Sequence, residues 1–425
     1  TSDALSLAAV DFTAWGQNKG ATRSETISKL ILESSKSAGG MSGPRMALAR
    51  FYVANGFGAE ALGVLRSITH DDRTAETNVP FRVVRALANI QMARNKEAIA
   101  DLSIEALGDD AHAALWRGIA AAGARDWRLA RNNLIVSLKV ISKYPEEWQA
   151  RARAGLGLSA LELGDSAAAK LALEGMPEKN VSDATKANVA LVKALTDVAL
   201  QKRDQAITQL DALAKSPIRP VAARATLEST LLKIAAGTLD AKQAIDSLER
   251  LRFQWRGDEV ELRTLSELGK LYVEQNKLRE GLNTMRLAVR HFSDSDDARQ
   301  TAAQMSSIFE SLFLGERAEK LSPVQALSLF YDYKELTPVG AQGDEMIRKL
   351  VERLVAVDLL PQAAELLQHQ VDNRLEGIAK AAVAARLAVI YIIDKQPSKA
   401  LETLRSTRQA RLPDELIQQR ELIEA

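Results

Sequence analysis

The chain has 425 residues, 46% hydrophobic and 26% charged, a balance that favours a folded protein over a disordered one. Its 56 Lys and Arg face 55 Asp and Glu, and a net charge of +1 gives too little field to gather a duplex nucleic acid as main partner. It has no cysteine, which removes disulfides, thiolate metal sites and cysteine nucleophiles and leans toward an exported bacterial protein, periplasmic or envelope-associated, with a cytoplasmic one as the alternative.

Taken in chain order, residues 1–42 read as an N-terminal segment with helices over 2–15 and 24–36, closed by Gly39, Gly40, Gly43 and Pro44. It lacks the motif that follows and is a candidate to cap or cover a groove. From residue 43 one plan recurs. A helix carries Leu followed by a small residue, with an aromatic or small residue three further on; a polar turn follows, then a second helix with a small residue near its start. The clearest copy is Leu268-Gly269 with Tyr272, a turn at Gln275-Asn276-Lys277, then Gly281, Met285 and Ala288. Others are Leu48-Ala49 with Tyr52 and Ala61, Leu156-Gly157 with Ala160 and Ala169, and Leu387-Ala388 with Tyr391 and Ala400. The second-helix small residues form the series Ala61, Ala98, Ala130, Ala169, Ala206, Ala244, Gly281, Ala326, Ala363 and Ala400, most often 37 residues apart. One interval stretches to 45 and places an insertion near Leu314–Leu321, either a join between two sub-arrays or, the favoured reading, a lengthened turn. Ser322-Pro323 then reads as an N-cap with proline at the first helical position. Asp294-Ser295-Asp296-Asp297 reads as an acidic helix start, lacking the glycine and distal glutamate of a calcium loop. An amphipathic terminal helix over 413–425 is expected to be cut by the chain end.

These Leu, Gly or Ala, Tyr and Ala positions resemble the tetratricopeptide-repeat (TPR) superfamily over roughly residues 43–410. The usual unit is about 34 residues, so these are longer, and the proline expected after each second helix is mostly missing, Pro177 and Pro217 being partial exceptions. The resemblance implies an all-α fold: a right-handed superhelical solenoid of about ten stacked helix-turn-helix repeats. The expected divisions are a TPR-like array over 43–290 with an apolar concave face, and irregular and C-terminal repeats over 291–412.

The resemblance also implies that first helices line the concave face. Counted back from each second-helix Ala, offsets of 15, 11 and 8 residues point inward. They give Val83, Leu87 and Ile90, then Leu115, Ile119 and Ala122, then Ala154, Leu158 and Leu161, then Leu191, Leu195 and Val198. Further on they give Ser229, Lys233 and Ala236, Ser266, Lys270 and Val273, and Arg348, Glu352 and Val355. The N-terminal half is thus expected to be apolar and the C-terminal half polar and charged. A continuous apolar groove is normally covered. Three readings stay open: a docked helix of a partner, cover by the chain itself (residues 1–40 or tight curvature), or a register slip that turns core positions into apparent groove positions. The candidate groove comprises Val83, Leu87, Ile90, Leu115, Ile119, Leu158, Leu161, Leu191, Leu195, Val198, Lys233 and Lys270. No Asn occupies the offset of 11, so a clamp for a peptide C-terminal carboxylate is not expected.

Nothing in the sequence supports catalysis, a cofactor or a metal. His70, His112, His291 and His369 are scattered without ligand spacing. Gly155-Leu156-Gly157 lies inside a helix with no strand before it, and Arg256-Gly257-Asp258 is read as a chance tripeptide between hairpins. No apolar run is long enough to cross a bilayer. The expected function is a non-catalytic scaffold binding a protein or peptide partner in a bacterial envelope complex. The alternative is a regulatory or substrate-recognition module of a larger enzyme.

Overall fold

The computed structural model describes residues 6–18, 20–37, 40–41, 43–315 and 317–425. They fall into two compact units that divide between Asp240 and Ala241, inside the array expected to run over 43–290. Every regular element among the described residues is a helix. The first unit opens with α1 (Phe12–Gly16) and α2 (Arg23–Lys36). Five hairpins follow: α3 (Gly43–Ala54) with α4 (Gly58–Asp71), α5 (Val79–Gln91) with α6 (Asn95–Leu102), α7 (Ala111–Ala124) with α8 (Trp127–Ser137), α9 (Glu146–Glu162) with α10 (Ser166–Ala172), and α11 (Asp183–Ala199) with α12 (Arg203–Leu213). Helix α13 (Arg219–Ala235) closes this unit. The second unit holds α14 (Ala241–Gln254), α15 (Glu259–Glu274) with α16 (Leu278–His291), α17 (Asp296–Ser311), α18 (Pro323–Asp332), α19 (Ala341–Ala356) with α20 (Leu360–Asn373), α21 (Gly377–Ile393) with α22 (Pro397–Ser406), and α23 (Asp414–Glu424).

Within each unit a hairpin packs on its own partner helix and on the next first helix, as α7 does on α8 and α9, and α20 on α19 and α21. The small-residue series explains how. Its nine alanines are each no more than 2% exposed, wedged where helices meet. Gly269 and Gly281 face each other across one hairpin: a Cβ on Gly281 would lie 2.6 Å from Val273 Cγ2 and 2.8 Å from the Gly269 carbonyl oxygen. Side chains there would force the helices apart, losing the close packing on which stacked hairpins depend.

Each paired hairpin turns through one left-handed residue: Gly56, Ala93, Arg125, Gly164, Gln201, Asn276, Asp358 and Lys395, with φ between 56° and 80°. In each case the next residue's N–H donates to the carbonyl five back, as from Phe57 to Tyr52 (2.9 Å), Asp126 to Ala121 (3.0 Å) and Gln396 to Tyr391 (2.7 Å). This is the Schellman closure, which satisfies carbonyls left open at the helix end. The second helix restarts at once, so its small residue falls in a fixed place.

The punctuation agrees with the sequence at several points. Ser322 caps α18 reciprocally with Gln325, Pro323 follows it, and the insertion before it holds a short 3-10 turn, Ala318–Lys320. Ser295 caps α17, with Asp296 and Asp297 in its first turn. Arg256-Gly257-Asp258 is a helix entry: the Asp258 carboxylate accepts from the Val260 N–H at 2.9 Å and the Trp255 ring N–H at 2.8 Å. Helix α23 is tied down by buried Arg420, which donates to the carbonyls of Ala381 (2.7 Å) and Leu404 (2.5 Å). Gly39 and part of the expected first helix, 2–15, lie outside the described residues.

The N-terminal expectation needs correction. Of residues 6–16 only Phe12–Gly16 are helical, started by the Asp11 side chain accepting from the Ala14 N–H at 2.8 Å. Residues 6–11 instead run as a strap past the start of α7 and the connection that leads into α9. The Ser6 hydroxyl donates to Asp110 Oδ2 at 2.6 Å, and Ala8 and Val10 are buried. Phe12 sits 5.7 Å from the Trp116 ring, 5.6 Å from Trp148 and 6.5 Å from Tyr144, while the Arg50 guanidinium lies 5.5 Å over Trp15. Contact with an aromatic cluster outweighs the local tendency to coil. Beneath it the His112 Nδ1 and Tyr144 hydroxyl are 2.5 Å apart. Burial pushes the Tyr144 phenol far up, so it keeps its proton beside the imidazole.

Three outcomes follow. Gly281→Ala should lower the stability of the full chain by about 1–3 kcal/mol through overpacking, read as a lower urea midpoint by helical circular dichroism. Gln201→Gly should raise it by up to about 1 kcal/mol, relieving left-handed strain. Burial holds the His112 pKa below its ordinary 6.5, with Asp110 opposing. The unfolded chain therefore binds the extra proton, and stability should fall as pH drops below 6.5. His112→Gln should flatten that slope in a series of thermal melts.

Candidate binding groove

The sequence-derived groove in the first unit is largely filled. Val83, Leu87, Leu115 and Leu191 are at most 4% exposed and belong to the core, so they are corrected from groove to packing positions. In α5, α7 and α11 these positions face neighbouring helices. Ile90 and Ile119 are half-buried against the same core as Phe12, Trp15, Ile27 and Leu30 of the N-terminal segment. Leu158 and Leu161, and Leu195 and Val198, are half-buried against the adjoining clusters around α9 and α11. Lys233 is held by both Asp211 carboxylate oxygens at 2.7 Å, and Lys270 by Glu267 at 2.7 Å. The N-terminal segment packs on α3 and, through Phe12, on Trp116 of α7.

The well-formed open groove is in the second unit. Between α19 and α21 lies a cavity of about 750 Å³, bordered by α20 and by Gln419 of α23. Its floor is aliphatic: Val351, Val355, Val383, Val389 and Ile390, with Ala379 and Ala382 keeping α21 low. Arg348, Glu352 and Val355, the three inward positions read for that repeat, all line it. None of the twelve residues of the candidate groove does.

Helical spacing builds its rim. Arg348 stands three residues after Glu345 and four before Glu352; its Nε donates to Glu345 at 2.6 Å and its terminal nitrogens pair with both carboxylates. That pairing holds the Glu345 carboxyl below the usual range. Asp344 accepts from Gln370 Nε2 at 2.8 Å. Arg386, exposed on α21, lines the same groove and adds to the pull on the Glu345 carboxyl. The expectation of a polar C-terminal half therefore fails at this place. Its charges neutralise one another at the rim, and the apolar residues between them form the floor. Val389 was within reach of the sequence, since it lies 11 residues before Ala400. Val351 and Val383 were not, because they fall off the three offsets.

Among the described residues no three His, Asp or Glu side chains are grouped to hold a metal. No described helix is long and apolar enough to cross a membrane.

No protein-family model matches the sequence, and no curated protein is similar enough to serve as a relative. Solved structures are similar in fold. A Rap protein complexed with competence and sporulation factor is 11% identical over 86% of this chain and 99% of that one, with a TM-score of 0.50. The human IFIT1 dimer with m7Gppp-AAAA is 13% identical over 94% of this chain and 95% of that one, at a TM-score of 0.37. The P58(IPK) TPR domain is 16% identical over 86% and 99%, at 0.25. At these identities the first likeness speaks to the fold alone, and the other two add no weight. The repeat period, the hairpin closure and that likeness together give the chain a divergent tetratricopeptide-repeat-like fold, with units of about 37 residues.

Proposed function

We propose that this protein is a non-catalytic scaffold that takes the apolar face of a partner helix into the α19–α21 groove. The observation that carries the reading is the open aliphatic floor between two successive first helices, bounded by a charged rim. A helix is about 10 Å across, and an apolar stripe laid on such a floor removes both surfaces from water. Arg348 is already held by Glu345 and Glu352, whereas Arg386 is exposed at the rim with no hydrogen bond among the described residues to fix it. The fitting partner is therefore an amphipathic helix with a carboxylate beside its apolar stripe. The Rap structure with its bound factor supports a binding role for such a fold. We extend the reading to assembly of a bacterial envelope complex, supported by the cysteine-free composition.

Val389 is 37% exposed, so Val389→Asp should fold normally. It should weaken partner capture by about tenfold or more, the effect of forcing an unpaired carboxylate under an apolar stripe. Leu171→Asp, at a 66% exposed site on α10, serves as the control and should leave capture intact. A photo-crosslinking residue at Val389 identifies the partner, and cell fractionation tests the envelope assignment. A folded Val389→Asp chain that retains every partner removes the groove reading.

A further inference from the structure

The strap of the first unit has the attributes of a bound ligand. Its polar anchor is the Ser6 hydroxyl on Asp110 Oδ2 at 2.6 Å, and Asp110 also caps α7 by accepting from the His112 N–H at 2.8 Å. Its small and aliphatic residues, Ala8 and Val10, are buried, and the Val10 backbone N–H faces the Tyr144 oxygen. Its aromatic anchor, Phe12, meets rings contributed by α7 and α9 and by the connection between their hairpins. The receiving surface is rigid: Trp116 is fully buried, 5.1 Å from Trp148 and 4.9 Å from Tyr144.

The occupant is much less firmly held than its seat. No residue of helix α1 is fully buried, and Phe12 and Trp15 are only partly covered. An open cavity of about 400 Å³ runs beside the strap, lined by Val10, Phe12, Thr13, His112, Lys143 and Tyr144. A segment that only partly fills a rigid aromatic seat is open to competition by one that fills it better, since aromatic contact supplies most of the attraction.

The geometry points to a second interaction surface. The α7–α9 face beneath residues 6–16 recognises an extended segment in which a hydroxyl residue, a small residue, an aliphatic residue and an aromatic follow in that order, as in Ser6, Ala8, Val10 and Phe12. The chain's own strap occupies it in cis, and a partner segment of the same chemistry binds by displacing the strap. This surface is independent of the α19–α21 groove.

The probe is a fluorescein-labelled synthetic peptide of residues 6–17, titrated into the full chain and followed by anisotropy. Against wild type it should bind weakly, because the strap competes at high effective concentration. Against Phe12→Ala, which loosens the strap, it should bind about tenfold or more tighter, the factor carried by one aromatic anchor. The same peptide with Ala in place of its Phe should not bind, and adding Trp148→Ala to the loosened chain should abolish binding. A folded Phe12→Ala chain that ignores the peptide, or that binds it no better than wild type does, overturns the proposal and makes the strap a permanent cap. Hydrogen exchange on the wild-type chain gives a readout that needs no variant. Excess peptide should speed exchange of amides 6–16 while α7 and α9 stay protected, and unchanged exchange at 6–16 would equally overturn it.

Discussion

Helices in this protein must come close enough for backbones to touch, and that requirement organises nearly everything else. A hairpin of about 37 residues buries too little apolar surface to offset its own ordering, so each depends on its neighbours. Neighbours stack only if both helices of a hairpin lie in a shallow, repeatable layer. Small residues set the depth of that layer, most tightly where Gly269 meets Gly281. The left-handed closure sets its repeat, because it fixes the distance from the end of one helix to the small residue of the next. A slip at either would tilt the following hairpin and open the core on both sides.

The repeat was legible because it rests on residue types that physics restricts. Alanine or glycine at a helix crossing has few substitutes, and ten such positions in phase stand out in one sequence. The turns were only partly legible. Gly56, Gly164 and Asn276 announce a left-handed residue, but Ala93, Arg125, Gln201 and Lys395 adopt the same conformation without any sign in their chemistry. There the tertiary fold imposes a geometry that the residue alone would avoid.

The groove was less legible than the fold, for a specific reason. Inward-facing and inter-helix positions are both apolar when the surface ends up covered, so Leu87 and Leu115 look alike whether they line a groove or fill a core. Over α7 part of the cover comes from residues 6–16, some of whose partners lie about a hundred positions or more along the chain, as Ser6 with Asp110 shows. In the second unit the error ran the other way. Arg348 and Glu352 gave the face a charged reading, yet they neutralise each other and leave valines between them. Charge at a rim says little about the floor.

That separation along the chain carries a consequence for how the protein is made. Phe12 leaves the ribosome early, but the seat it occupies is incomplete until Trp148 has been synthesised. At ordinary elongation rates of about 5–20 residues per second, the interval is on the order of ten seconds. During it the aromatic surface of α7 is already emerging while its own cover has nowhere complete to dock. Newly made chains therefore pass through a stage in which this face is open to whatever binds first. The strap closes it only as the fourth hairpin arrives, so the order of synthesis gives partners an opportunity that the finished fold restricts.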